Sequence, residues 1–549
     1  MSLEDARVPR PATDRPDIRA VGDRALLVEV DGLTDALAWH RALAGTPLPG
    51  QIETVAAART ILVRFATDTA AEEAARTTLP TLTPSAQEEG TARRHTLDVV
   101  YDGDDLESTA RLLCLSVDAL IDEHTRTEWT AAFGGFAPGF AYCAPASGEA
   151  LWDVPRLDEP RTAVPPGSVG LAGGFSAVYP RRSPGGWRLI GRTDALLWST
   201  DRTPPALMTP GDLITYRSVR DTAQAAERVP ENATDRAPEG VSEGGPEVAM
   251  AGDSDAAPEL REVLEVEDPG MLTLIQDGGR PGWGDVGVSP SGFADAASAE
   301  AANRCAGNEP GAALLEIAGD ARLTCLSDVV VGIAGAAGGD TASPRLLRAG
   351  EALDLTASPD LARTYVAVRG GLAAASELGS ASTDVLSGLG PAPVVAGDHL
   401  SVPLSGAAGS VGHPEANPAR LLRDRATEDG CVTLRIVPGP RENWFSEAEQ
   451  ARFRSVEWIV GPQSNRVGLR LQAPDGEAPL TREIAGELPS EGTVTGTVQV
   501  PAHGLPVVFG RDRPVTGGYP AIATVVEADL DLLGQLVPGD RVRFRDAAR

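Results

Sequence analysis

The sequence predicts a mainly β protein with α+β elements, folded as two lobes. Three observations carry that expectation. Short β-type runs recur between Gly and Pro turns, the pattern of a barrel or sandwich. A turn motif, Pro-Gly-Asp or Ala-Gly-Asp/Glu followed by alternating apolar residues, recurs along the chain. One stretch, 221–260, holds ten acids, two arginines, four prolines and no aromatic residue. It has too little apolar surface to order itself.

Taken in order, Ala25 to Val30 and Thr60 to Phe65 read as strands, with helical spacing from Thr34 to Leu43 between them. Asp105 to Glu123 reads as one amphipathic helix or two short ones, with Leu106, Leu112, Leu113 and Leu120 on the apolar side. The acidic segment is a linker between halves at about 17–218 and 262–546; as coil, ~40 residues span roughly 35 Å on average. The turn motif stands at Pro210-Gly211-Asp212, Ala349-Gly350-Glu351, Ala396-Gly397-Asp398 and Pro538-Gly539-Asp540. Each copy is a turn feeding a half-buried strand. Three copies follow the linker, so related barrels are expected to repeat there.

All 48 basic residues are arginine and none is lysine. That excludes a Schiff-base lysine, an ordinary P-loop and attachment of biotin to this chain, though not action on biotin carried by a partner. The net charge of −30 suggests adaptation to high salt and argues against nucleic acid as a partner. Five scattered cysteines without a Cys-x-x-Cys pair fit a reducing, cytosolic compartment and no zinc site. The start of the chain is charged and Pro-rich, unlike a signal peptide. The best apolar run, Val329 to Ala337, is too short to span a bilayer. A soluble, cytoplasmic protein is expected.

Two glycine-rich loops studded with rings, Phe133 to Cys143 and Thr516 to Pro520, are neither helix nor ordinary strand. They suit a cleft that cradles a small polar ligand with backbone N–H groups. They equally suit tight barrel corners whose rings fill a core. No Gly-x-Ser-x-Gly elbow is present, so a serine hydrolase is not expected. Gly332 to Gly338 follows an apolar strand but lacks the spacing of a dinucleotide site. His124 reads as a helix-end histidine, or as a base just before the first loop.

The N-terminal half resembles the allophanate hydrolase subunit 1 family, which includes the B component of 5-oxoprolinase and the sporulation kinase inhibitor. The match runs through Gly22 to Glu29, Phe133 to Tyr142, Pro160 to Gly170 and Ser183 to Thr193. The C-terminal half is similar to the subunit 2 family, which includes the C component of 5-oxoprolinase. Here the matching residues are Thr273 to Gly282, Ser289 to Gly292, Asp295, Leu315 to Ile317, Gly379 to Asp384, Gly461 to Leu471, Glu491, Gln499 to Pro501 and Thr516 to Pro520. Together the halves resemble the carboxyltransferase region of urea carboxylase.

The resemblance implies tandem cyclophilin-like β-barrel domains plus a small N-terminal α/β subdomain. The expected divisions are 17–90 for the subdomain, 91–218 for the first cyclophilin-like domain, 219–261 for the acidic linker and 262–549 for the carboxyltransferase-type region. It also implies an ATP-dependent 5-oxoprolinase, with Mg2+, that opens the 5-oxoproline lactam to glutamate. The implied partner is a separate protein, the A component of 5-oxoprolinase. Two alternatives stay open: a carboxyltransferase acting on urea or a related amide with biotin on a partner protein, and a non-catalytic module that regulates a kinase. The oligomeric state is left open.

A lactam carbonyl is a poor electrophile, and either reaction asks for preset donors around a developing oxyanion. Arg280 and Arg466 are the candidate fixed cations. Asp277, Asp295, Glu316 and Glu491 are candidate proton handlers or magnesium ligands. Gln276, Gln463 and Gln499 are candidates to orient an amide. Ser291, Gly292, Thr516, Gly517, Gly518 and Tyr519 complete the C-terminal set. In the N-terminal half Phe136, Gly139, Phe140 and Tyr142 are expected to wall a pocket, with Arg161 and Arg192 meeting anions. Three positions depart from the pattern the resemblance implies: Phe175 where glutamine is usual, Ala381 where arginine is usual and Ala521 where lysine is usual. These departures imply an altered substrate or weaker catalysis.

Overall fold

The computed structural model describes residues 16–82, 84, 92–157, 159–220, 259–404, 408–486 and 488–548. The expected linker therefore lies almost wholly outside the described residues.

The chain opens with a four-stranded antiparallel sheet in the order Asp17–Ala20, Ala25–Glu29, Thr60–Phe65 and Gln51–Ala56. Helix Leu33–Gly45 covers one face and buries Ala36, Trp39 and Leu43. The other face presents Val21, Ala25, Leu27, Val55 and Leu62, which share a core with Val494 and Val515 of the C-terminal half. Both faces of these strands are thus buried, which is why Ala25-Leu26-Leu27-Val28 reads as a continuous apolar run.

A seven-stranded sheet follows, from Arg188–Arg192 at one edge to Arg94–Val99 at the other. An isolated bridge, Val100 to Arg192, links the two edges. The expected helical segment splits into Leu106–Leu112 and Val117–Arg126. Cys114 between them takes the left-handed conformation at φ 57°, which no glycine announces in the sequence. Ser116 then caps the second helix by accepting the Ala119 N–H at 3.1 Å.

The C-terminal half holds two further units. In the first, a four-stranded sheet and a six-stranded sheet enclose one core that includes Val263, Leu315, Val331, Leu353, Val366 and Val402. Its first strand is Leu260–Asp268, so ordered structure begins inside the expected linker. Helix Ala296–Ala306 lies against strand Val329–Gly335 so closely that a Cβ on Gly332 would stand 1.9 Å from the Ala302 carbonyl oxygen. The glycines of this segment therefore serve helix-on-sheet packing. In the second unit, strand Cys431–Pro438 pairs with Ala521–Val525 on one side and Arg541–Asp546 on the other, so the sheet closes on itself. Trp458, Phe453 and Phe544 fill its interior.

The four copies of the turn motif named above feed strands: Leu213–Ser218, Ala352–Leu355, His399–Pro403 and Arg541–Asp546. Their central glycines lie at φ 82–95°. In the first and last barrels the fed strand runs parallel to that barrel's opening strand, Leu213–Ser218 beside Arg94–Val99 and Arg541–Asp546 beside Cys431–Pro438. Among the described residues, no helix is long and apolar enough to cross a membrane.

Candidate functional site

The two glycine-rich loops meet. The Gly135 carbonyl oxygen accepts the N–H groups of Val515 and Thr516 at 3.2 and 3.4 Å. The Gly139 N–H donates to the Val286 carbonyl at 3.0 Å. Close approach is what the glycines provide: a Cβ on Gly134 would stand 2.6 Å from the Asp285 carbonyl oxygen. On the far side of Thr516, strand Thr516–Gly517 pairs with Glu491–Gly492. The seam is reinforced by the Glu53 carboxylate, which accepts the Gly284 N–H at 2.8 Å, and by Arg441, which stands 3.1 Å from Glu29.

Beside Gly135 a small cleft opens between the halves. Phe136, Pro138 and Arg181 line it from the N-terminal side, and Ser289, Asp384 and Arg513 from the C-terminal side. Of the ring trio expected to wall a pocket, only Phe136 borders this cleft. Phe140 and Tyr142 are buried in a ring cluster with Phe133, Tyr179 and Trp187, so they fill a core. Phe175 joins that cluster edge-on to Phe133 and Tyr142.

The predicted acids and cations form a second, fully buried system next to the cleft. Arg466 donates to Glu316 Oε1 at 2.6 Å, to both oxygens of Asp512 at 2.8 and 2.9 Å and to the Gly292 carbonyl at 2.7 Å. Ser291, held at φ 52°, donates its hydroxyl to Asp512 at 2.7 Å. Glu316 also accepts from Arg363 at 3.2 Å, Tyr365 Oη at 3.1 Å and the Ala294 N–H at 2.9 Å. Burial opposes its ionisation, but Arg466 and Arg363 outweigh it and hold the carboxyl below its ordinary range. Asp295 caps helix Ala296–Ala306 through the Ser298 N–H and accepts from Gln535 at 2.8 Å. Burial, with Asp531 nearby, pushes its carboxyl up to about 7.

Asp277 and Arg280 clamp one loop. Asp277 accepts from the Gly279 N–H, Ser380 Oγ, the Ala381 N–H and Ser382 Oγ at 2.5–2.8 Å. Arg280 donates to the carbonyls of Glu377, Ser380 and Ser382, while its Nη1 has no partner. Gln276 Nε2 donates to the Thr383 carbonyl, and its Oε1 is likewise buried without a partner. Ala381 thus contributes a backbone donor to the clamp, and Ala521 sits buried on a barrel strand.

Several expected binders stand apart. Arg161 makes a two-pronged pair with Asp105 at 2.8–2.9 Å, and Arg192 pairs with Asp102 at 2.9 Å. Both are therefore engaged in holding the first barrel together rather than meeting an anion. Gln463 lies exposed on a turn. Glu491 pairs with Arg441, and Gln499 packs under Gly517, where a Cβ would meet its Nε2 at 2.5 Å. Gly518 and Tyr519 are exposed, leaving the tip of the second loop open to solvent. His124, in the last turn of its helix, is wholly buried between Tyr101 Oη at 2.7 Å and Ser176 Oγ at 2.9 Å. Burial drives it down to about 3, so it is a neutral core residue rather than a base.

The four candidate magnesium ligands do not fit that ion. Asp295, Glu316 and Glu491 are buried and Asp277 is half-buried, and the donors just named hold Asp277, Asp295, Glu316 and one oxygen of Glu491. Among the described residues, no group of three or more His, Cys, Asp or Glu stands where it could hold a metal.

Two family models cover most of the chain: carboxyltransferase domain, subdomain C and D, over residues 16–208, and subdomain A and B over residues 286–546. The chain is 34% identical over 304 residues to the C component of the 5-oxoprolinase of Escherichia coli, covering 51% of this chain and 90% of that protein. It is 30% identical over 243 residues to the B component of the 5-oxoprolinase of Bacillus subtilis, covering 40% of this chain and 100% of that protein.

This chain belongs to the carboxyltransferase-domain family.

The crystal structure of TTHA0988 shares this carboxyltransferase-domain architecture end to end, with a TM-score of 0.75 at 32% identity over 95% of this chain and 100% of that one. In this family member the B-like and C-like halves lie on one polypeptide, and the cleft beside Gly135 draws on both. The residues that sequence reasoning missed are Arg181, Arg513 and Asp512. A weak signal existed for two of them: Arg511-Asp512-Arg513-Pro514 stands directly before the second loop.

Proposed function

We propose that this protein is the fused B/C component of an ATP-dependent 5-oxoprolinase, which opens 5-oxoproline to glutamate together with a separate A component. The supporting observation is the contact of Gly135 with Thr516, which joins a B-like half and a C-like half at one cleft. Arginines and backbone N–H groups around that cleft suit a substrate carboxylate and a developing oxyanion. The acids here do not fit magnesium and the chain has no lysine, so ATP and its ion are assigned to the A component. The test is to mix the purified chain with an active A component, 5-oxoproline and ATP. Release of ADP and glutamate is expected; no turnover above the A component alone would end the proposal.

The carboxyltransferase family models favour one second reading, transfer of a carboxyl group from biotin carried by another protein to an amide. Its distinguishing result is carboxylation of urea or a related amide by a carboxylated biotin carrier in the absence of the A component.

A further inference from the structure

Arg513 is 2% exposed, yet among the described residues no carboxylate lies within 4.0 Å of it. Its Nη1 reaches only the Pro514 carbonyl at 3.2 Å and Thr493 Oγ1 at 3.5 Å, and its Nε has no partner. Arg466 by contrast holds two carboxylates and Arg441 holds Glu491 and Glu29, while Arg280, also without a carboxylate, donates to three backbone carbonyls. A buried guanidinium with so few acceptors is costly, and Arg513 has fewer than Arg280, so a counterion would stabilise it.

The acids nearby are committed elsewhere. Asp384 accepts from Ser289 Oγ and from the N–H groups of Leu386 and Ser387. Glu53 is taken by Arg64 and Gly284. Arg181 faces the same cleft, and its Nε is also buried without a partner. Two guanidiniums therefore border the cleft against one carboxylate whose oxygens are occupied. Burial lowers the Arg513 guanidinium to about 9, with Arg64 adding to the effect. A bound anion would relieve both causes.

We infer that the cleft between the halves binds a small oxyanion, carboxylate or phosphate, on Arg513 and Arg181. The choice of anions rests on the 5-oxoprolinase reading, in which the substrate and the product glutamate carry carboxylates and phosphate is released. The site itself rests on Arg513, which has no carboxylate partner, and on Arg181, whose Nη2 holds the Leu386 carbonyl while its Nε has no partner.

The full chain alone, without ATP or the A component, is titrated calorimetrically with 5-oxoproline, glutamate and inorganic phosphate at matched ionic strength in chloride. The neutral lactam 2-pyrrolidone is the uncharged control. At least one anion should bind, and 2-pyrrolidone should not. Arg513→Met should weaken binding about 10–100-fold, the loss of charge-assisted hydrogen bonds. The ligand-free variant should unfold at a temperature no lower than the parent, because a buried unpaired charge has gone. Arg181→Gln should weaken binding as well. Binding of 5-oxoproline or glutamate assigns the site to a carboxylate; binding of phosphate alone assigns it to the released group. The inference is overturned if no anion binds, or if both variants bind as tightly as the parent. Because binding is read without turnover, these results stand apart from the fate of the reconstituted assay.

Discussion

Gly135 and Thr516, 381 positions apart in the chain, are in backbone contact, and a Cβ added at Gly135 would stand 2.3 Å from Thr516 Oγ1. Gly135 also holds φ 121°, a conformation L side chains rarely adopt. Gly135→Ala should therefore destabilise the protein by about 1–3 kcal/mol and reduce turnover in the reconstituted assay. In thermal unfolding, Gly135→Ala with Thr516→Gly should lose less than the sum of the single variants, because the second change removes the clashing atoms. Additive losses would show that this contact does not set the seam.

Breaking the buried charge system should cost more. Arg466→Met leaves Asp512 buried without its cation and Glu316 with Arg363 alone, a loss of about 3–5 kcal/mol read from the denaturant midpoint. Adding Glu316→Gln should recover part of that loss. A fall of under about 1 kcal/mol for Arg466→Met would mean that solvent reaches the network.

Acid stability should depend on His124. Its folded value of about 3 lies below the ordinary 6.5, so the unfolded chain takes up the proton first. The stability tied to neutral His124 is complete above pH 6.5 and is lost as the pH falls toward 3. One such proton contributes a slope of up to about 1.4 kcal/mol per pH unit. His124→Gln should flatten the curve over that window, measured by unfolding at a series of pH values. An unchanged slope would remove His124 from the account.

The halves should recognise each other without a covalent tie. Co-expressed as separate chains, residues 1–220 and 259–549 should elute together as a one-to-one complex. The shared core of Leu27, Val55, Leu62, Val494 and Val515 and the Glu29–Arg441 pair join them. Separate elution at micromolar concentration would contradict this.

Much of the fold was legible because local pattern and burial agree. Thr60 to Phe65 is a strand over the same residues in sequence and structure, and the four named copies of the turn motif feed strands. The break at Cys114 was not legible, since a left-handed cysteine looks like any other residue in a helical pattern. The site was harder for a different reason. Asp512 and Arg513 are neighbours in a run of alternating charge that resembles an exposed ion-pair ladder. The fold sends Asp512 to Arg466 and leaves Arg513 without a counterion, and that depends on strand register far from either residue. Arg161 illustrates the converse: an arginine in a matching motif whose charge is spent on Asp105.

The parallel pairing of opening and closing strands has a topological consequence. A strand of six residues advances about 20 Å, so the chain enters each of these barrels at one pole and leaves near the opposite pole. Such a unit can be threaded in series without a return segment crossing its closed wall. A circularly permuted version, by contrast, would need a bridge of at least about six extended residues to rejoin the old ends. Tandem addition is the geometrically easy change for this architecture, and rearrangement of the order within one barrel is the hard one.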